Sequence, residues 1–150
     1  YIMYIKEVLS MPAKLYINST EVRKDFSSTI DRVIHCKPQF VQRTHNRMVM
    51  IEEGEFNSLL SNLMIPVKLI KEDDGSFVAT NPVIEDVFSV GATKETAINE
   101  LCKDLIEYAQ EYYDDYDLYS KTPNRKSHAP YVMRILSSPS VESIRGMLHA

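Results

Sequence analysis

The chain predicts an α+β fold divided between two small units, on three observations. Runs of period-two alternation (residues 14–17, 39–43, 47–51 and the flanks of 73–76) are interleaved with runs of helical period. Pro66 stands between a helical run and a fresh set of alternating runs, as a boundary residue would. Charge is partitioned: residues 11–50 sum to +4, residues 71–119 to −10 and residues 120–150 to +4. Such asymmetry within 150 residues points to two modules with different partners.

Composition narrows the class. With 44% hydrophobic and 25% charged residues the chain has the balance of a soluble globular protein. No apolar run approaches the ~20 residues that span a bilayer. Cys36 and Cys102 are far apart and lack CxxC spacing, so no disulfide framework is expected and a reducing cytoplasm is the expected location. The opening YIMYIKEVLS lacks the basic flank of a signal peptide. Lys6-Glu7-Val8 can be encoded by AAGGAGGTN, a strong ribosome-binding site just upstream of the Met11 codon. Residues 1–10 are therefore expected to be a translated leader or a cloning remnant, with the native start at Met11.

Residues 14–17 (KLYI) read as a short strand. Asn18 follows as N-cap of a helix, with Glu21 three residues on to complete a capping box. Val22, Phe26, Ile30, Val33 and Ile34 make one apolar face, and the helix should stop near His35-Cys36 ahead of Pro38. QFVQR (39–43) and RMVMI (47–51) form a hairpin across Thr44-His45-Asn46. Residues 53–63 form a short amphipathic helix with Phe56, Leu59, Leu60 and Leu63 on one side.

In the second unit, two alternating runs flank Asp73-Asp74-Gly75-Ser76, a hairpin signal because Gly75 tolerates φ > 0. VFSV (87–90) is a third strand. Thr93 then caps a long helix running to about Tyr113, with Ala97, Leu101, Leu105, Ile106 and Ala109 on its apolar side. Residues 119–130 read as a loop, and 131–136 as a strand or a helical turn. Ser138-Pro139 supplies an N-cap and first-turn proline for a last helix with Val141, Ile144 and Leu148.

Catalytic signals are missing from the sequence. The four histidines and two cysteines show no HExxH, CxxC or HxH spacing, and there is neither a GxSxG nor a Walker loop. Acidic pairs such as Asp73/Asp74, Glu85/Asp86 and Asp114/Asp115 suit turns and solvated helix ends better than general acid–base work. No enzyme, no metal and no cofactor are expected. The basic first unit is either a solvated face or an anion-binding one. In the second reading Arg23, Lys24, Arg43 and Arg47 reach nucleic-acid phosphates, joined by Asn18, Ser19 and Thr20 at the helix start. So small a unit barely supplies a core, which suggests that it dimerises. Two-fold symmetry would match a palindromic site.

INSTEVRKDFSSTIDRV, PQFVQR, RMVMI and EEGEFNSLL, in that order, resemble the N-terminal domain of Phd/YefM antitoxins. That family runs strand, Ser/Asn-x-Thr-Glu-Ala-Arg helix, Pro-x-x-hydrophobic-x-Arg strand, apolar strand, and Glu-Glu-Tyr/Phe helix. The resemblance covers most of residues 14–63 and implies a homodimer that binds its own operator and represses a toxin–antitoxin operon. Arg23 and Arg43 fall on the family's helix and strand arginines, both implicated there in DNA contact. Val22 replaces the usual alanine, and THNR stands where a glycine-bearing turn is common.

Residues 66 to about 113 are similar to HicB-like antitoxin domains, which have an antiparallel sheet, an acidic Asp-Gly turn and a helix entered through Thr-x-Glu-x-Ala. Thr93, Glu95 and Ala97 match that helix start; VIEDVF replaces the family's Pro-Gly-Cys segment. The expected organisation is residues 11–63 for DNA binding and dimerisation, and residues 66–150 for a HicB-like domain with a C-terminal helix. The expected partners are operator DNA, a cognate protein toxin (of RNase type if the acidic unit fills a basic RNA cleft) and a second copy, or a higher oligomer. Tyr112, Tyr113 and Tyr116, with Asp114 and Asp115, are the expected partner-binding residues. They could equally cover their own sheet. The alternative function is a regulator or scaffold without a toxin, its acidic unit binding another protein or RNA.

Overall fold

The computed structural model describes residues 15–149; the expected leader at residues 1–10 lies outside them. The architecture is α+β, in two compact units divided after Phe56.

In the first unit, strand β1 (Tyr16–Asn18) pairs in parallel with β2 (Gln39–Arg43), which pairs antiparallel with β3 (Asn46–Met50). Two helices join β1 to β2 where the sequence predicts one: α1 (Ser19–Lys24) and α2 (Phe26–Ile34). The break is Asp25, at φ −133° and ψ 59°, whose carboxylate accepts a hydrogen bond from the Ser28 N–H at 3.3 Å and so starts a second helix. Aspartate's capping strength outweighs helical continuity here. Asn18 caps α1 as predicted, accepting from the Thr20 N–H at 2.9 Å. Glu21 pairs with Lys24 at 3.2 Å instead of reaching back to the cap.

Helix α2 ends in a Schellman turn. Cys36 is left-handed (φ 58°), with its N–H donating to Val33 and that of Lys37 to Arg32. The strands β2 and β3 turn through Thr44-His45, with Thr44 at φ 55°. Among the described residues of this unit, Val22 and Val41 are the buried apolar side chains, whereas Phe26 and Ile34 of the predicted apolar face lie exposed. The division after Phe56 falls inside helix α3 (Glu53–Leu60), ahead of Pro66.

The second unit carries the larger core. Strands β5 (Lys68–Lys71), β6 (Phe77–Thr80) and β7 (Phe88–Gly91) form an antiparallel meander. Gly75 takes φ 87° in the first turn, and Asp74 accepts hydrogen bonds from the Ser76 N–H and hydroxyl at 2.9 and 2.6 Å. Helix α4 (Lys94–Asp114) starts in a capping box of Thr93 and Thr96. It lies on the sheet, with Ala97, Leu101, Leu105, Ala109 and Tyr112 fully buried. A Cβ at Gly91 would collide with the backbone nitrogen of Ala97, so this residue type sets how closely β7 meets the helix start.

Helix α5 (Tyr116–Tyr119) follows α4, and the segment predicted as loop, residues 119–130, holds a 3₁₀ turn at Lys126–His128. Residues 131–136 belong to helix α6 (Ala129–Leu136), with Pro130 in its first turn. Helix α7 (Val141–Met147) is capped by Ser140 rather than Ser138, because Ser140 Oγ accepts from the Ser143 N–H at 3.1 Å. Val132, Ile135 and Ile144 complete the core, and β4 (Ile65–Pro66) pairs in parallel with β8 (Leu148–His149).

Candidate functional site

In the first unit, the end of β1, helix α1 and the β2–β3 turn surround an open groove of about 690 Å³. Asn18, Ser19 and Thr20 form one wall, Arg23 follows one turn on, and Arg43 and Thr44 close it from the hairpin. The parallel pairing of β1 with β2 brings these together: Asn18 stands opposite Gln42, and Arg43 is the next residue along. Five of the seven residues predicted to meet DNA therefore line one concavity.

The other two are placed differently. Lys24 is held in an exposed ion pair with Glu21 at 3.2 Å, an interaction worth well under ~1 kcal/mol. The Arg47 guanidinium sits 4.7 Å above the Tyr16 ring, a cation–π contact on the strand side. Sequence reasoning missed three residues of the groove: Val22, Phe26 and Thr44. Phe26 belongs to the predicted apolar face and is 56% exposed. Thr44 carried a signal, since it occupies a turn where glycine is common in the resembled family. A β-branched residue with φ > 0 is strained, and such strain concentrates at binding sites. Since α1 has only six residues, the arginine charges rather than a helix dipole dominate this groove.

In the second unit the tyrosine cluster divides. Tyr112 is fully buried and corrects the expectation that it binds a partner. Its ring stacks on Tyr119 at 5.3 Å, and its hydroxyl donates to the Arg125 carbonyl at 3.1 Å. It holds residues 119–125 against α4. Tyr113, Tyr116, Asp114 and Asp115 stay at the surface around the end of α4.

Beneath them, Tyr108 Oη and His128 Nδ1 lie 2.6 Å apart and share a hydrogen bond, with both residues buried. Burial pushes the Tyr108 phenol up to about 12 and holds His128 below its ordinary range, against the opposing pull of Asp86. Arg125 bridges to Asp86 at 3.0 Å and lies 4.7 Å over the Tyr119 ring. These contacts stitch a segment onto the core. Among the described residues no group of three or more His, Cys, Asp or Glu side chains is arranged to hold a metal ion. None of the described helices is long and apolar enough to cross a membrane.

Residues 14–150 match the PHD-like family model, described as antitoxin of toxin–antitoxin, RelE/RelB, TA system. Among solved structures, the chain is similar to the crystal structure of the antitoxin part of a proposed toxin/antitoxin system from Syntrophomonas wolfei subsp. wolfei. The two share 36% identity and a TM-score of 0.84, over 90% of this chain and 96% of that one. No curated protein matches the sequence.

Proposed function

From the premise that the chain belongs to the PHD-like family of toxin–antitoxin antitoxins, we propose a two-part repressor. Its first unit dimerises and reads operator DNA, and its second neutralises the cognate toxin by occlusion. Membership implies a toxin partner, and it favours this reading over a scaffold without one. We further assign the first unit to the Phd/YefM type and the second to the HicB-like type, acting in the cytoplasm without catalysis.

The observation that carries the DNA reading is the groove that gathers Arg23, Arg43 and the polar start of α1 from segments distant in sequence. Two guanidiniums flanking hydroxyl and backbone donors suit phosphate oxygens, which position a protein on a duplex. Dimerisation is supported by the thin core: Ile34, Met48 and Val49, outside the groove, remain exposed in a unit with two buried apolar side chains among its described residues. For the second unit, the −10 charge of residues 71–119 suits a toxin with a basic RNA-binding cleft, which makes an RNase the fitting class.

Fluorescence anisotropy on the chain's own upstream DNA, at several salt concentrations, tests the groove. Arg23→Ala and Arg43→Ala each weaken binding and flatten the log–log salt dependence by about 0.9. Arg47→Ala, whose side chain is engaged with Tyr16, changes the slope less. Wild-type affinity and slope in both groove variants would remove this face from the account.

A further inference from the structure

The meander of the second unit has two edges, and they differ in kind. Strand β5 begins and ends with Lys68 and Lys71, the sort of charge that keeps an edge from pairing. Strand β7 reads Phe88-Ser89-Val90-Gly91, without charge, and β6 is its only partner among the described residues. Its outer backbone groups are a template for another strand.

The side chains beside this edge specify what that strand carries. Phe88 and Val90 point away from α4, 61% and 55% exposed, and Val90 continues a cross-strand row through Val78 to Ile70. Ser89 points the other way, buried, and its hydroxyl donates to Asp104. At the start of the strand opens a groove of about 280 Å³, lined by Asp86, Val87 and Phe88 and, from α4, by Tyr108 and the Asp104, Glu107 and Glu111 residues. Spacings of three and four put those acids in one stripe. Among the described residues, Glu107 and Glu111 form no ion pair; the nearby Asp86 is already held by Arg125.

We propose that the β7 edge is the toxin-docking surface of the second unit. The toxin adds an extended segment with alternating apolar and basic side chains. Side chains alternate across a strand, so the apolar set meets Phe88 and Val90 while the lysines or arginines meet the α4 stripe. A symmetric β7–β7 pairing with a second copy of this chain fits poorly there, because β7 would offer no cation to the carboxylates. The inference rests on the antitoxin reading and deepens it by naming the surface and the chemistry of its occupant.

The test is amide hydrogen exchange on the full-length chain, alone and mixed with the purified product of the gene adjoining its own. Affinities are measured in parallel for Glu107→Lys/Glu111→Lys and for Val90→Glu, whose side chains are exposed or at the rim. The proposal predicts slowed exchange at residues 88–91 in the complex and at least tenfold weaker binding in both variants, the first loss shrinking at high salt. Tight binding with unaltered exchange at 88–91 and unimpaired variants would overturn the edge while leaving the antitoxin reading intact. Concentration-dependent protection of 88–91 in the chain alone would overturn it in favour of self-association. Absence of any complex would count against the antitoxin reading itself, and the proposal would fall with it.

Discussion

His128 is a buried imidazole whose neighbours pull in opposite directions. Burial lowers its pKa, Asp86 and Glu85 raise it, and Arg125 lowers it, with a net downward shift from the ordinary 6.5. A histidine depressed in the folded state favours the neutral form, so its contribution to stability is complete above about pH 6.5 and declines as pH falls below that value. Thermal unfolding from pH 7.5 down to pH 5.5 should show a falling Tm, with a smaller fall in His128→Gln. Equal falls in the two proteins would mean that another group carries the dependence. At this scale the sequence was only partly legible. Arg23 and Arg43 could be named from a motif. The burial of Tyr112 could not, because its fate depends on Tyr119 and Arg125 folding back over it.

Helix α4 and strand β7 meet at Gly91, where the backbone of Ala97 leaves no room for a methyl group. The nearest obstacles are backbone and the Thr96 hydroxyl of the capping box, neither of which yields cheaply. Gly91→Ala should therefore cost about 1–3 kcal/mol, the usual range for overpacking, in chemical denaturation of the full chain. A loss below ~0.5 kcal/mol would show that the helix start shifts freely. Elements with one strong signal were legible: the Gly75 turn, the Thr93 cap and the long amphipathic run of α4 all follow from local chemistry. Competing signals misled. Asp25 interrupted a convincing apolar stripe by capping a new helix, and Ser138 lost its role to Ser140, two residues on, which reaches Ser143. The apolar stripe itself left Phe26 and Ile34 exposed.

Across the whole molecule the most basic segment, residues 11–50, lies in the first compact unit and the most acidic, residues 71–119, in the second. A first unit with a basic segment and little core of its own suits the proposed dimer on a polyanion, and a second unit with an acidic segment and a full core suits the proposed protein partner. The family match runs on to residue 150, well past residue 113 where the resemblance to HicB-like domains ends. In the proposed arrangement two copies together read one operator. Light scattering coupled to size exclusion, on the full chain mixed with its own upstream duplex, weighs that complex directly. The expected mass is that of the duplex plus two chains, or a multiple of two. One chain per duplex, or no complex that prefers this duplex to a scrambled one, would contradict it.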